Sequence, residues 1–262
     1  MLKKFTDISA IKYSVVRLFA AVLTGFFVLG SVAYGQLVNF KQNANVHISS
    51  GAVIQINGSL DMDNSTLVQD GSGEIRVRGD WTKRNGATFS AGSGTVTFTG
   101  DKNSNIEGGS ATTFNVLKID KSTGANDSVY IEQNISVNEK LMVSSGKLAA
   151  GLLNFDMTIY GDIENNDVID LNRTGFVDVE FAGSANSIFI GTGSLSDFHL
   201  ININKASVSD TVDIGPSNFS AVQDFLILNT GLVKFSNNYT INNRFFNDYT
   251  TTPQISSRIG IW

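Results

Sequence analysis

Thr95-Val96-Thr97-Phe98-Thr99-Gly100 and, 83 residues on, Asp178-Val179-Glu180-Phe181-Ala182-Gly183 follow one alternating pattern that ends on glycine. Each is followed by a second shared run, Phe114-Asn115-Val116-Leu117-Lys118-Ile119-Asp120-Lys121 in the first copy and Phe198-His199-Leu200-Ile201-Asn202-Ile203-Asn204-Lys205 in the second. A third follows, Asp127-Ser128-Val129-Tyr130-Ile131 against Asp210-Thr211-Val212-Asp213-Ile214. Further on, Leu141 to Leu148 answers to Leu226 to Val233, and Thr158-Ile159 to Thr240-Ile241, while Val46 to Val53 is an earlier partial copy. A fixed period marks a stacked architecture, in which each unit buries its apolar face against the next.

Within the copies the apolar residues alternate. Val96/Phe98, Leu117/Ile119, Val129/Ile131, Ile135/Val137 and Leu141/Val143 point to one side of their strands. Val179/Phe181, Ile201/Ile203, Val212/Ile214 and Leu226/Leu228 do so in the second copy. Gly, Asn, Asp and Ser clusters separate these runs, which is strand and turn chemistry, and no mature segment keeps a helical apolar period. A propeller needs about four or more blades to close, more than two and a half modules supply. The fold class read here is therefore all-β, a parallel β-helix built from an approximately 83-residue repeat. Roughly ten to twelve coils rising ~4.8 Å each would make a rod of about 50 Å. The boundaries expected are a signal peptide at 1–35, a partial repeat with the first coils at 36–93, modules at 94–174 and 175–250, and an irregular end at 251–262.

Lys3, Lys4, Lys12 and Arg17 precede an apolar run from Leu18 to Leu29, and Ala33-Tyr34-Gly35 is a small-x-small site before Gln36. That order reads as a secretory signal peptide cut between Gly35 and Gln36; the run is too short for the ~20 residues of a spanning helix. Setting it aside removes four of the 19 basic residues and one of the 24 acids, so the net charge moves from −5 to −8. An acidic chain with scattered basic residues is a poor ligand for nucleic acid. The chain has no cysteine, which excludes a disulfide framework and thiolate metal sites.

Gly94 to Gly100, Thr112 to Ile119 and Ser144-Ser145-Gly146-Lys147-Leu148 together resemble the repeat of the large surface β-helix proteins of Bacteroidetes, in which GTVTFNG, TFYNLTIN and TSGTL elements recur in order. The resemblance covers about residues 40 to 245. It implies an exported, adhesin-like protein of the kind shipped through type IX secretion. Members normally end in a C-terminal sorting domain, which Ile259-Gly260-Ile261-Trp262 does not resemble. The departure leaves open whether the chain is attached to the cell or is a truncated piece of a longer protein.

Chemistry is sparse. Asp162, Glu164, Asn166, Asp167 and Asp170 form the densest acidic cluster. Their oxygens suit Ca²⁺, but Asp167 stands where an EF-hand needs Gly and Arg173 where it needs the bidentate Glu. A solvated acidic turn explains the cluster better. His47 and His199 are read as outward, exchangeable positions, and without Cys neither builds a zinc site or a triad. Thr95, Thr97 and Thr99 make an outward threonine row that the second copy replaces with Asp178 and Glu180, against an ice-binding surface. The recurrent Asp127-Ser128 and Asp210-Thr211 are similar to a bacterial O-glycosylation signal, which makes Ser128 and Thr211 candidate modification sites, although Asp-Ser is also turn chemistry. Trp81, Tyr130, Tyr160 and Tyr239 are read as scattered surface aromatics. No cofactor is implied.

The function expected is a non-catalytic secreted or cell-surface repeat segment, an adhesin-like stalk whose partner is an extracellular polysaccharide or a surface protein. The alternatives are a polysaccharide lyase or hydrolase using Asp162, Glu164 and Asp167, and a truncated fragment without independent function.

Overall fold

The computed structural model describes residues 37–122, 126–221, 226–237 and 245–247. Gly35, Gln36, Tyr239 and the expected end at 251–262 lie outside them. Short strands pair in parallel, each with the strand about one turn of chain later, so the backbone winds into a β-solenoid with three stacks of strands.

The first stack has nine strands: Leu37–Lys41, Ser59–Asp63, Trp81–Arg84, Ser104–Glu107, Ser128–Ile131, Lys147–Ala150, Val168–Asp170, Leu195–Phe198 and Phe219–Ala221. The second begins with Asn45–Ile48, Thr66–Gln69 and Thr88–Ser90, and continues later through Phe155–Ile159, Val177–Gly183, Leu200–Lys205, Leu226–Thr230 and Phe245–Asn247. The third runs Val53–Ile56, Glu74–Val77 and Thr95–Gly100, then Asp162–Asn165, Ser187–Ile190, Thr211–Ile214 and Leu232–Phe235. Two long strands, Thr112–Lys121 and Ile135–Ser145, turn the corner between second and third stacks without a break. Residues 135–137 bond Phe155–Ile159, and residues 140–143 bond Asp162–Asn165.

Nine strands in the first stack bound eight full turns, a rise of about 40 Å at the ~4.8 Å strand spacing. The ten to twelve coils expected are a reading of the whole mature chain, part of which lies outside the described residues. Third-stack neighbours Val53, Glu74, Thr95 and Val116 are each 21 residues apart.

The alternation does place the apolar residues inside. Val96, Phe98, Leu117, Ile119, Val179, Phe181, Ile201 and Ile203 are all buried in one continuous core that runs from Val46 to Val233. Burial of this kind contributes roughly 1.5–3 kcal/mol per large aliphatic or aromatic side chain. The expected modules are thus successive lengths of one core. Leu226 and Leu228 pair in the second stack, as far as their backbone goes.

The two copies do not occupy the same sides of the solenoid. Thr95–Gly100 pairs with Glu74–Val77 in the third stack, whereas Val177–Gly183 pairs with Phe155–Ile159 in the second. The 83-residue period therefore spans three turns and two sides, and what it repeats is a corner. At one corner Lys121, fully buried, donates from Nζ to Thr99 O (3.1 Å), Lys102 O (2.8 Å) and Ser104 Oγ (2.7 Å). At the other, Lys205 donates to Ala182 O (2.6 Å) and Ser187 Oγ (3.1 Å). Asn103 and Asn186 accept the backbone N–H of Ser128 (2.9 Å) and Thr211 (2.8 Å) in matching places. Burial pushes both lysines down, Lys121 to about 8.

Gly146 closes the Lys121 corner at φ +95°, where an added Cβ would lie 2.7 Å from Lys121 Cβ and 3.1 Å from Asp127 O. Gly231, at φ +123°, does the same over Lys205. Gly146→Ala is expected to cost about 2 kcal/mol or more, from left-handed backbone and overpacking together. Gly51→Ala is the control, since Gly51 has φ +75° with nothing within 4 Å of its Cβ position. A urea-unfolding midpoint that falls no further for Gly146→Ala than for Gly51→Ala would show that the lysine corner is not closely packed.

Candidate binding groove

Two consecutive coils on the third stack share the frame Gly-Ser-Gly, five alternating residues, Gly-Asp: Gly71-Ser72-Gly73-Glu74-Ile75-Arg76-Val77-Arg78-Gly79-Asp80, then Gly92-Ser93-Gly94-Thr95-Val96-Thr97-Phe98-Thr99-Gly100-Asp101. Their inward residues, Ile75, Val77, Val96 and Phe98, join the core. Their outward residues differ, long and charged in one coil and short in the next. The result is an open groove of about 570 Å³ across four coils. Its central row is Gln55, Arg76, Thr97 and Lys118, set in register from strand to strand. Asn57, Arg78, Thr99, Asp120 and Ser122 line it toward the next corner.

Thr97 forms the floor and is 2% exposed. Its Oγ1 donates to Glu74 Oε1 at 2.8 Å, while Arg76 Nη2 donates to Glu74 Oε2 at 2.8 Å. Burial alone would raise the Glu74 pKa, but the bonds from Arg76 and Thr97 outweigh it and hold the carboxyl below its usual range. Across the row, Lys118 Nζ lies 2.8 Å from Asp120 Oδ2. Arg78 reaches Asp101 at 3.4 Å and lies along Gly100, whose φ is +87° and where a Cβ would come within 2.8 Å of Arg78 Nε. The glycine is what lets the guanidinium lie at the groove edge.

The residues singled out from sequence sit elsewhere. Asp162, Glu164 and Asn166 are outward on the third stack or at its end, but each acid is already engaged. Asp162 Oδ1 accepts the Ile188 N–H at 2.9 Å, and Glu164 takes Lys140 at 2.6 Å and the Asn166 amide at 2.8 Å, which lower its pKa. Asp167 turns away to accept the Gly146 N–H at 2.7 Å, and Asp170 lies on the first stack between Lys147 (3.8 Å) and Arg173 (3.5 Å). Among the described residues no three Asp, Glu or His side chains converge as a cation site would need.

Ser128 is buried, 4% exposed, and Thr211 is half-buried; their recurrence follows from the repeated corner. Hydrogen bonding to Ser128, and then the Arg173 guanidinium 5.7 Å over the ring, hold the Tyr130 phenol below its usual value. His47 faces solvent beside Asp70 at 3.4 Å. His199 also points outward but is clamped, Nδ1 2.6 Å from Asp178 Oδ1 and its ring stacked on Phe176 at 3.7 Å. Tyr160 is exposed beside Gly183. Trp81 is a correction. It is a core residue with no exposed surface, packed against Phe89 and Phe114 at 4.8 and 5.4 Å. The threonine row is also no flat surface, since Arg76 and Lys118 rise on either side of Thr97.

Comparison with protein-family models, curated proteins and solved structures finds no match to this chain. Among the described residues no helix is long and apolar enough to cross a membrane.

Proposed function

We propose that the protein is a non-catalytic β-solenoid of the extracellular space or outer cell surface, a rigid rod that presents a polar binding surface. The observation that carries this reading is the groove on the third stack. It is built from outward side chains of four successive coils over an unbroken core, so its donors are spaced by the backbone itself. Binding sites gain from groups held in place before the ligand arrives. Export rests on the Lys-rich start, the apolar run and the site before Gln36. The adhesin-like role rests on the resemblance of the repeat text to Bacteroidetes surface proteins.

Two measurements test the reading. Natively expressed protein should begin at Gln36 by intact mass and be removed from whole cells by added protease. Incubation with a panel of linear polysaccharides, with and without calcium, should leave their chain lengths unchanged. Release of reducing or unsaturated sugar ends, lost on Glu164→Gln, would replace this proposal with the lyase or hydrolase alternative.

A further inference from the structure

We infer that the third-stack groove binds a linear acidic polysaccharide, lying along the rod axis with carboxylates on alternate sugars against Arg76 and Lys118. This rests on the reading of the rod as a binding surface and names the ligand class of that surface.

The first argument is hydrogen-bonding capacity. Both oxygens of Glu74 are already taken, one by Thr97 and one by Arg76. Asp120 is held by Lys118. Arg76 spends one of its five N–H donors on Glu74, and Lys118 one of three on Asp120. Arg78 meets Asp101 only at 3.4 Å and exposed, and the Gln55 and Asn57 amides also line the groove. The lining thus offers more free donors than free acceptors. Such a surface suits a ligand rich in acceptors, carboxylates first, because charge-assisted bonds to them are about twice as strong as neutral ones.

The second argument is spacing. Arg76, Thr97 and Lys118 are register partners on three successive coils. The backbones that carry the two cations are therefore about 10 Å apart, twice the ~4.8 Å strand spacing, with the short Thr97 between them. A sugar chain advances by close to one strand spacing per unit. An acid on every second sugar meets the two cations in turn, while the neutral sugar sits over Thr97.

The third is direction. The row Gln55, Arg76, Thr97 and Lys118 runs across the strands, from coil to coil. An acidic peptide binds a sheet by adding a strand at an edge, parallel to its neighbours. A chain lying across the strands must be one that needs no backbone ladder. The polymer favoured is a glycan.

The test uses the purified exported chain and affinity electrophoresis in gels carrying hyaluronan (a uronate on every second sugar), neutral dextran or poly-glutamate. Hyaluronan should retard the protein more than either of the others. Arg76→Gln and Lys118→Gln should each weaken that retardation about tenfold, as loss of a charge-assisted bond to a carboxylate implies. Lys234→Gln, on the same stack but five coils beyond Lys118 and paired with Asp213, should not change it. Unfolding midpoints for all three variants show that the effect is not loss of fold. Retardation by hyaluronan that survives both groove substitutions would overturn the groove assignment while leaving a binding rod in place. Equal retardation by dextran or poly-glutamate, or none by hyaluronan, would overturn the ligand class. The export and surface-exposure measurements would be untouched by either result.

Discussion

Truncating Trp81 to alanine is expected to destabilise the solenoid by about 3–5 kcal/mol, the range for deleting a large buried aromatic side chain. The indole has no exposed surface and sits where first and second stacks meet over two coils. Phe89 meets it edge-on at an interplanar angle of 74°, Phe114 at 60°, and these two rings lie 6.1 Å from each other. This cluster bridges the place where hydrogen bonding in the second stack is interrupted, between Thr88–Ser90 and the start of Thr112–Lys121. Side-chain packing there must do what backbone pairing does elsewhere. Trp81 Nε1 is buried with no acceptor among the described residues, and an unpaired buried donor costs about 1–3 kcal/mol. Trp81→Phe removes that penalty while shrinking the ring, so the two effects offset and the net cost should stay below about 2 kcal/mol. Urea unfolding followed by far-ultraviolet circular dichroism measures both. A Trp81→Ala chain within about 1 kcal/mol of the parent would mean that this ring cluster does not hold the first coils together.

The same residue shows why some of the fold was legible in the sequence and some was not. Alternation placed the inward pairs correctly from Val96/Phe98 to Val212/Ile214, since period 2 reports which side a residue faces whatever the winding. It failed at Gly79-Asp80-Trp81-Thr82-Lys83-Arg84, where a lysine interrupts the apolar phase. Lys83 points inward beside Trp81 and donates to Ala111 O, and burial lowers its pKa. Leu117, Ile119 and Lys121 share one parity, as do Ile201, Ile203 and Lys205, so the inward lysines were written in the alternation and hidden only by their charge. The length of one winding was also readable, in the 21-residue echo of Gly71-Ser72-Gly73 by Gly92-Ser93-Gly94, beneath the longer 83-residue repeat. The longer repeat records a corner used twice on different sides. The acidic cluster misled for a related reason. Between Asp162 and Asp170 the chain turns from third stack to first, so neighbours in sequence face different ways. The groove, by contrast, joins residues one coil apart, and only the winding length brings Arg76, Thr97 and Lys118 into a row.

Lys121→Met is expected to cost about 2–4 kcal/mol at neutral pH and more in alkaline solution. Methionine keeps most of the buried stem but leaves Thr99 O, Lys102 O and Ser104 Oγ without their donor. Each orphaned buried acceptor costs about 1–3 kcal/mol, partly offset because an ammonium no longer has to be desolvated. That offset depends on pH. The folded lysine titrates at about 8, the unfolded one near 10.4, so between those values the unfolded chain binds more protons. A base with a depressed folded pKa contributes stability that is complete above the unfolded value and lost as pH falls through the folded one. Parent stability should therefore rise relative to Lys121→Met between pH 8 and about 10.4, widening the gap by up to about 3 kcal/mol. Taking the difference between the two chains cancels the growing repulsion of an acidic protein in alkali. Lys205→Met is the internal comparison: with two acceptors instead of three, it should cost less. Urea unfolding of the three chains at pH 7, 9 and 10.5 reads all of this. A gap that narrows as pH rises would mean that Lys121 is stabilised as a cation at its corner, and that attraction to Asp127 prevails over burial.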